Sequence, residues 1–283
     1  MLATPRWLLA EQFPELLMQM KGYPEHLSYV GVPEALSIPS VSIVGSRKMS
    51  GYGEKVARLL VPGIVRAGLS VVSGLAYGID ALSHRLALEA GGHCIAVLGG
   101  GLKRIYPQSH TSLAAKVAER GCLLSEYEPD QAPLAFHFPE RNRIVAGLSP
   151  LTLIIEAAER SGTLSTARHA LDAGREVGVV PGDIFNCQSV GVHQLLKDGA
   201  RPITCVQDIL AVYGIEASKE PDPPPLTGRA GTLYAMLPPE GYTTDRLQTL
   251  TNYPPETLQA LLGSLELDGR IRRNYQQKWL KIS

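Results

Sequence analysis

Four stretches of this 283-residue chain carry side chains suited to holding an anion or a planar base. The first is Val41 to Gly53, where an apolar run stops at Gly45, turns through Ser46 and Arg47 and gives way to a helical pattern. A helix start leaves backbone N–H groups unpaired beside a partial positive charge, so an anion is its natural partner. Arg47 narrows that anion to phosphate, because its planar fork can grip two oxygens at once. The second stretch, Gly99 to Pro107, sets Lys103, Arg104 and Tyr106 on one glycine-rich loop. The third, Phe136 to Arg143, interleaves Phe138 with Arg141, Asn142 and Arg143. A cation beside a ring is how a single nucleic-acid strand is held, charge on phosphate and ring on base. The fourth, Ser161-Gly162-Thr163, follows Glu156 and opens a helical pattern with hydroxyls and a glycine, a cradle for an anion. Each stretch also has a plainer reading: a glycine turn with a solvated arginine, a flexible surface loop, a core aromatic beside exposed arginines, and helix capping by Ser161 and Thr163.

Covalent and metal chemistry find little support. No nucleophile stands with a base at informative spacing, and His84, His93 and His169 read as ordinary helix or strand residues, so no catalytic residue is expected. Gly45, Gly51 and Gly53 do not follow GxGxxG spacing, and Val72-Ser-Gly stands where an acid would meet a ribose, which disfavours an adenine dinucleotide. Gly74 to Asp80 is a second glycine turn, in which Asp80 is expected to cap the helix through His84 and Leu88. Cys94, Cys122, Cys187 and Cys205 are scattered without a CxxC pair, so neither a metal site nor a disulfide framework is expected, and no cofactor is implied.

These stretches need elements to position them, and the composition allows such elements. An apolar fraction of 45% supports a packed core. No run approaches the ~18 apolar residues of a membrane span and no signal sequence opens the chain, so a cytoplasmic location is expected. Formal net charge is zero, yet Arg270, Arg272, Arg273, Lys278 and Lys281 cluster without an acid between them. From Val41, short apolar runs at 41–44, 69–73, 94–98, 122–124, 151–155, 177–180 and, more weakly, 203–206 alternate with helical patterns. That alternation predicts an α/β fold with an extended, Rossmann-like parallel sheet and helices on both faces. Pro62 predicts a kink or early end in the first long helix.

Residues 1–40, with a helix expected over Pro5 to Met20, read as a lead-in to a domain at 41–213. A proline-rich linker at 214–226 precedes a small domain at 227–283, whose three helical patterns and two basic strands, ending in Tyr275 and Trp279, predict a winged helix-turn-helix. Thr244 and Pro255 mark two of its helix starts.

The ordered set Gly45-Ser-Arg, Ser73-Gly-Leu-Ala-Tyr-Gly-Ile-Asp80, Gly101-Leu-x-x-Ile-Tyr-Pro107, Phe138-Pro-Glu-Arg-Asn-Arg-Ile144, Ser161-Gly-Thr-Leu-Ser-Thr-Ala167 and Gly174-Arg-Glu-Val-x-x-Val-Pro-Gly182 resembles the DprA family, also called Smf. The resemblance covers about residues 22 to 210. It implies a non-enzymatic, Rossmann-like domain that forms a homodimer, binds single-stranded DNA without sequence preference and helps load the RecA recombinase during natural transformation. It places DNA contacts at Ser46, Arg47 and Lys103, and further ones at Phe138, Asn142 and Arg143. The chain departs from the family pattern at Lys103, where an acid is usual, at His193, where asparagine is usual, and in lacking a leading helical domain. The C-terminal domain resembles the winged helix of some members, which would allow contact with duplex DNA. Two other readings stand beside this one. A nucleotide-processing enzyme of the lysine-decarboxylase-like type shares the Gly-Ser-Arg turn but has a glycine-paired stretch with a catalytic acid where this chain reads Glu156-Ala-Ala-Glu-Arg-Ser-Gly-Thr. A transcriptional regulator would prefer one duplex sequence.

Overall fold

A run such as Val41-Ser-Ile-Val is apolar at nearly every position, so a strand made from it needs cover on both faces. The structure, a computed structural model describing residues 2–216, 226–274 and 276–281, supplies that cover. The chain divides into two compact units, Met1–Ala217 and Ser218–Ser283. The first contains, in order, β1 (Arg6–Leu9), α1 (Glu15–Met18), β2 (His26–Gly31), β3 (Ser40–Val44), α2 (Gly51–Arg66), β4 (Ser70–Ser73), α3 (Ile79–Glu89), β5 (Cys94–Val97), α4 (Thr111–Arg120) and β6 (Cys122–Ser125). There follow α5 (His137–Gly147), β7 (Leu151–Ile154), α6 (Thr163–Asp172), β8 (Glu176–Val179), α7 (Val190–Lys197), β9 (Arg201–Pro202) and α8 (Val206–Leu210).

Its strands form one sheet in the order β1-β2-β6-β5-β4-β3-β7-β8-β9. Neighbours from β6 to β9 are parallel, while β2 pairs antiparallel with both β1 and β6. Val41 and Ile43 join Leu60 and Ile64 of α2 and Ile79 and Leu86 of α3 in one core. Val44, Val72, Val97 and Ile154 join Ile144 of α5 and Ala167 of α6 in the core on the other face. The period of two along each strand thus feeds two layers of helices. Ser42, fully buried on the α5 side, donates to the Val145 carbonyl at 2.6 Å, which offsets the burial of its hydroxyl. The sheet builds outward from β3 through β4, β5 and β6, then returns to place β7 on the other flank of β3, with Ile43 opposite Leu153. In such sheets this reversal opens a crevice beyond the carboxyl ends of the two strands.

Three local expectations change. The helix expected over Pro5 to Met20 is replaced by β1, a short 3-10 turn at Ala10–Gln12 and the four-residue α1. Sheet-edge pairing of Trp7 with Ser28 and Leu8 with Leu27 overrides local helical spacing there. α2 runs through Pro62 to Arg66 without ending early. The last strand lies at Arg201–Pro202 rather than 203–206, because the Asp208 carboxylate accepts from the Thr204 and Cys205 amides and starts α8 there. Linker residues 217–225 and Tyr275 lie outside the described residues.

The second unit contains α9 (Gly228–Met236), β10 (Tyr242–Thr243), α10 (Thr244–Thr251), α11 (Pro255–Leu267), β11 (Ile271–Arg273) and β12 (Lys278–Lys281). Its sheet has the order β10-β12-β11, the wing of a winged helix. Leu233, Leu247, Leu258, Leu262, Ile271 and Trp279 form its core, and the Trp279 indole donates to the Thr244 hydroxyl at 3.0 Å. Thr243, one residue ahead of Thr244, caps α10 by accepting from the Arg246 amide at 3.3 Å. Arg273 lies over the Trp279 ring and Lys281 over the Tyr234 ring. Among the described residues no helix is long and apolar enough to cross a membrane.

Candidate functional site

The carboxyl ends of β3 and β7 open into a cleft of about 650 Å³. Ser46, Arg47 and Lys48 enter it from the turn after β3, Tyr106 from the loop after β5, Phe138 and Asn142 from α5, and Arg160 to Thr163 from the turn before α6. Arg47 is exposed, and its guanidinium carbon stands 5.5 Å from the centre of the Phe138 ring. Tyr106, also exposed, lies 5.5 Å from Phe138, centre to centre. A cation and two rings therefore share one wall, and among the described residues Arg47 makes no ion pair.

The turn itself differs from the expectation that its helix start awaits an anion. α2 begins only at Gly51, and Ser50 caps it by accepting from the Tyr52 and Gly53 amides, each at 3.2 Å. Glu156, 1% exposed beyond the end of β7, accepts from the Ser50 amide at 2.9 Å and from the Ser50 hydroxyl. A Cβ on Gly53 would strike that carboxylate, so glycine is required there. The α2 terminus already has its anion, and it is Glu156. What the turn offers a ligand is Arg47 and Lys48.

The α6 turn is more open. The Ser161 hydroxyl accepts from the Thr163 amide at 3.2 Å and donates to the Thr163 hydroxyl, which donates to the Gly45 carbonyl at 3.1 Å. This chain of bonds ties the β3 turn to the start of α6. Asn142 donates to the Gly162 carbonyl at 3.2 Å and to the Ser165 hydroxyl at 2.9 Å, which fixes α5 against the same turn. Ser46 is buried, and its hydroxyl accepts from the Lys48 amide at 3.0 Å.

Other nominated residues stand elsewhere. Arg141 is 3% exposed and forms part of the cleft's floor, donating to the Gly74 carbonyl at 2.8 Å and to the Val97 carbonyl. Its guanidinium is held inside and is not presented to a ligand. Burial pushes its pKa down to about 10, so it stays charged at neutral pH. Asp80 is not a helix cap. It is buried and accepts from the Gly74 amide at 3.2 Å. Burial raises its pKa against the opposing pull of Arg141. Arg143 pairs with Glu126 through contacts of 2.5 and 2.6 Å, and Lys103 pairs with Asp130 at 2.8 Å. Neither they nor the exposed Arg104 line the cleft, which gathers Arg47 and Ser161 but leaves Lys103, Arg104 and Arg143 outside. Lys48, Arg160 and Gln188 line it without having been singled out. A basic residue directly abutting a nominated turn was the available signal for the first two.

Behind the floor, His84 is fully buried, and burial, with Arg141 nearby, lowers its pKa to about 3. An unfolded histidine takes its proton near pH 6.5, whereas the folded one takes it only near pH 3. The unfolded state therefore binds more protons between these values, and stability falls with acidification across that window. By pH 5 the loss is about 2 kcal/mol relative to pH 7. In denaturant titrations at both pH values, His84→Leu should flatten the acid decline by that amount; an unchanged decline would contradict this assignment.

Residues 6–214 match the family described as DNA recombination-mediator protein A, and residues 217–274 match the DprA winged helix domain. Protein Smf of Escherichia coli is 46% identical over 202 residues, covering 71% of this chain and 54% of its own length. DNA processing protein DprA of Streptococcus pneumoniae is 41% identical over 206 residues, covering 73% of each. The X-ray structure of the pneumococcal protein superposes with a TM-score of 0.71 at 39% identity, over 74% of this chain and 75% of that one. DNA processing protein A of Helicobacter pylori, whose structure concerns its single-stranded DNA binding mode, superposes with a TM-score of 0.68 at 29% identity, over 75% of this chain and 98% of that one. With a mostly parallel sheet covered by helices on both faces, a matching winged helix and a family match over most of its length, the chain belongs to the DNA recombination-mediator protein A, or DprA/Smf, family.

Proposed function

We propose that the cleft between β3 and β7 holds single-stranded DNA without regard to sequence, and that no chemistry follows capture. The observation that carries this reading is Arg47 standing over Phe138 on an open wall: phosphate meets the guanidinium and a base stacks on the ring. Ser46, Asn142, Ser161, Gly162 and Thr163 shape the wall, and Tyr106, Lys48 and Arg160 extend it. Lys103, Arg104 and Arg143 act as a surrounding field rather than as contacts. Glu156 weighs against nucleotide hydrolysis, because its carboxylate is committed to the start of α2. Family membership supports the wider role: a cytoplasmic homodimer that protects incoming strands and loads RecA in transformation and recombination. The basic wing, Arg272 to Lys281, supports contact with duplex DNA by the second unit.

The test is a titration of labelled oligo-dT against a duplex of equal length. Tighter binding of the single strand, shared by oligo-dT and mixed sequences, is expected. Preference for one duplex sequence would replace this reading with a regulatory one. A second variant checks the ring. Phe138→Ala should lower oligo-dT affinity by about 1–3 kcal/mol, the worth of one stacked base. Because no charge is lost, the salt dependence of binding should stay the same.

A further inference from the structure

Beyond Tyr106 the wall of the cleft does not end in bare surface. Ala76, at its edge, is followed by Tyr77, which is 47% exposed. The Tyr77 hydroxyl lies 3.3 Å from that of Ser109, and its ring meets the His110 ring edge-on at 5.0 Å. His110 is itself held by its Nδ1, 2.9 Å from the Leu75 carbonyl. Tyr77 is thus fixed in place while its ring remains accessible. Directly past it, between α3 and α4, runs a groove of about 380 Å³ lined by Arg85, Glu89, Ser109, His110, Ser112 and Lys116. Arg85 and Lys116 are exposed and, among the described residues, neither makes an ion pair. Two free cations and two serine hydroxyls face one carboxylate, an arrangement that favours an anion.

We propose that this groove is a second phosphate-binding segment of the single-strand track, reached across Tyr77 and engaged only by strands longer than the main cleft holds. The order of groups along the surface is Arg47, Phe138, Tyr106, then Tyr77, then Arg85 and Lys116. Three rings thus lie between one cation and a further pair, so that faces for bases are flanked at both ends by charge for phosphate. The inference rests on the cleft reading above, since the strand must enter there first.

The experiment compares Arg85→Ala/Lys116→Ala with Arg47→Ala on oligo-dT of about 6 and about 20 nucleotides, the first within the usual span of one binding module and the second beyond it. The double variant should bind the longer strand roughly tenfold more weakly and the shorter one within about twofold of the parent. Its log–log salt slope on the longer strand should be shallower by about 1.4, for two phosphates no longer neutralised. Equal loss on both lengths, or loss on neither, overturns the groove. An Arg47→Ala variant that binds both lengths as the parent does would instead remove the cleft reading, whatever the groove does. Both substituted side chains are exposed, so the fold is left intact.

Discussion

Arg47→Ala should weaken binding of every single-stranded sequence alike, by about 10- to 150-fold, the worth of a hydrogen-bonded charge at ~1.5–3 kcal/mol. The size of the effect follows from what surrounds the residue. Arg141 is turned inward to carbonyls, Arg143 is paired with Glu126 and Lys103 with Asp130. Among the described residues Arg47 makes no ion pair; it stands over the Phe138 ring and lines the cleft. Phosphate bound there releases a counterion, and its loss should flatten the log–log salt slope by about 0.7. Arg47→Lys should fall between the two, keeping the charge but losing the planar fork and most of the contact with the ring. Affinity and slope both unchanged in the alanine variant would mean that the strand runs elsewhere.

The parallel sheet was legible because its strands are buried on both faces and so appear as unbroken apolar runs closed by glycine. β1 escaped notice for the opposite reason. As an edge strand it buries only Leu8, which leaves no period to read, and its pairing partner lies twenty residues away. The cleft was legible in part. Aromatic and basic residue types are visible in a sequence, but their direction is not: Arg141, Asn142 and Arg143 are consecutive on α5 and point to three different environments. A helix advances about 100° per residue, so Arg141 turns to the cleft's floor and Arg143 away from the wall that Asn142 shapes. The Glu156 cap was hidden more deeply. It joins residues 106 apart and shows only when β7 is seated beside β3.

The inward turn of Arg141 leads to the other large effect. Arg141 and Asp80 meet through one residue: Gly74 donates its amide to Asp80 and accepts at its carbonyl from Arg141. A Cβ at Gly74 would lie 2.5 Å from the guanidinium and 2.7 Å from the carboxylate, so only glycine admits both heads. Arg141→Met would strand the Gly74 and Val97 carbonyls and leave Asp80 buried without its counter-charge. The cost should be roughly 3–5 kcal/mol at pH 7, since removing one partner of a buried charge pair is strongly destabilising. For a unit of this size that is a fall in Tm of roughly 6–20 °C. The pH dependence identifies the cause. Without Arg141 the folded pKa of Asp80 rises further above its unfolded value, and a raised carboxyl pKa means stability is regained as pH falls through it. The gap between variant and parent, measured at each pH, should therefore narrow from pH 7 to pH 5, and Asp80→Asn added to Arg141→Met should close part of it at pH 7. Below its melting temperature the single variant should also bind oligo-dT more weakly, because Phe138 and Asn142 ride on the same helix, yet with the parent's salt slope. A slope reduced by about 0.7 would show Arg141 touching phosphate after all.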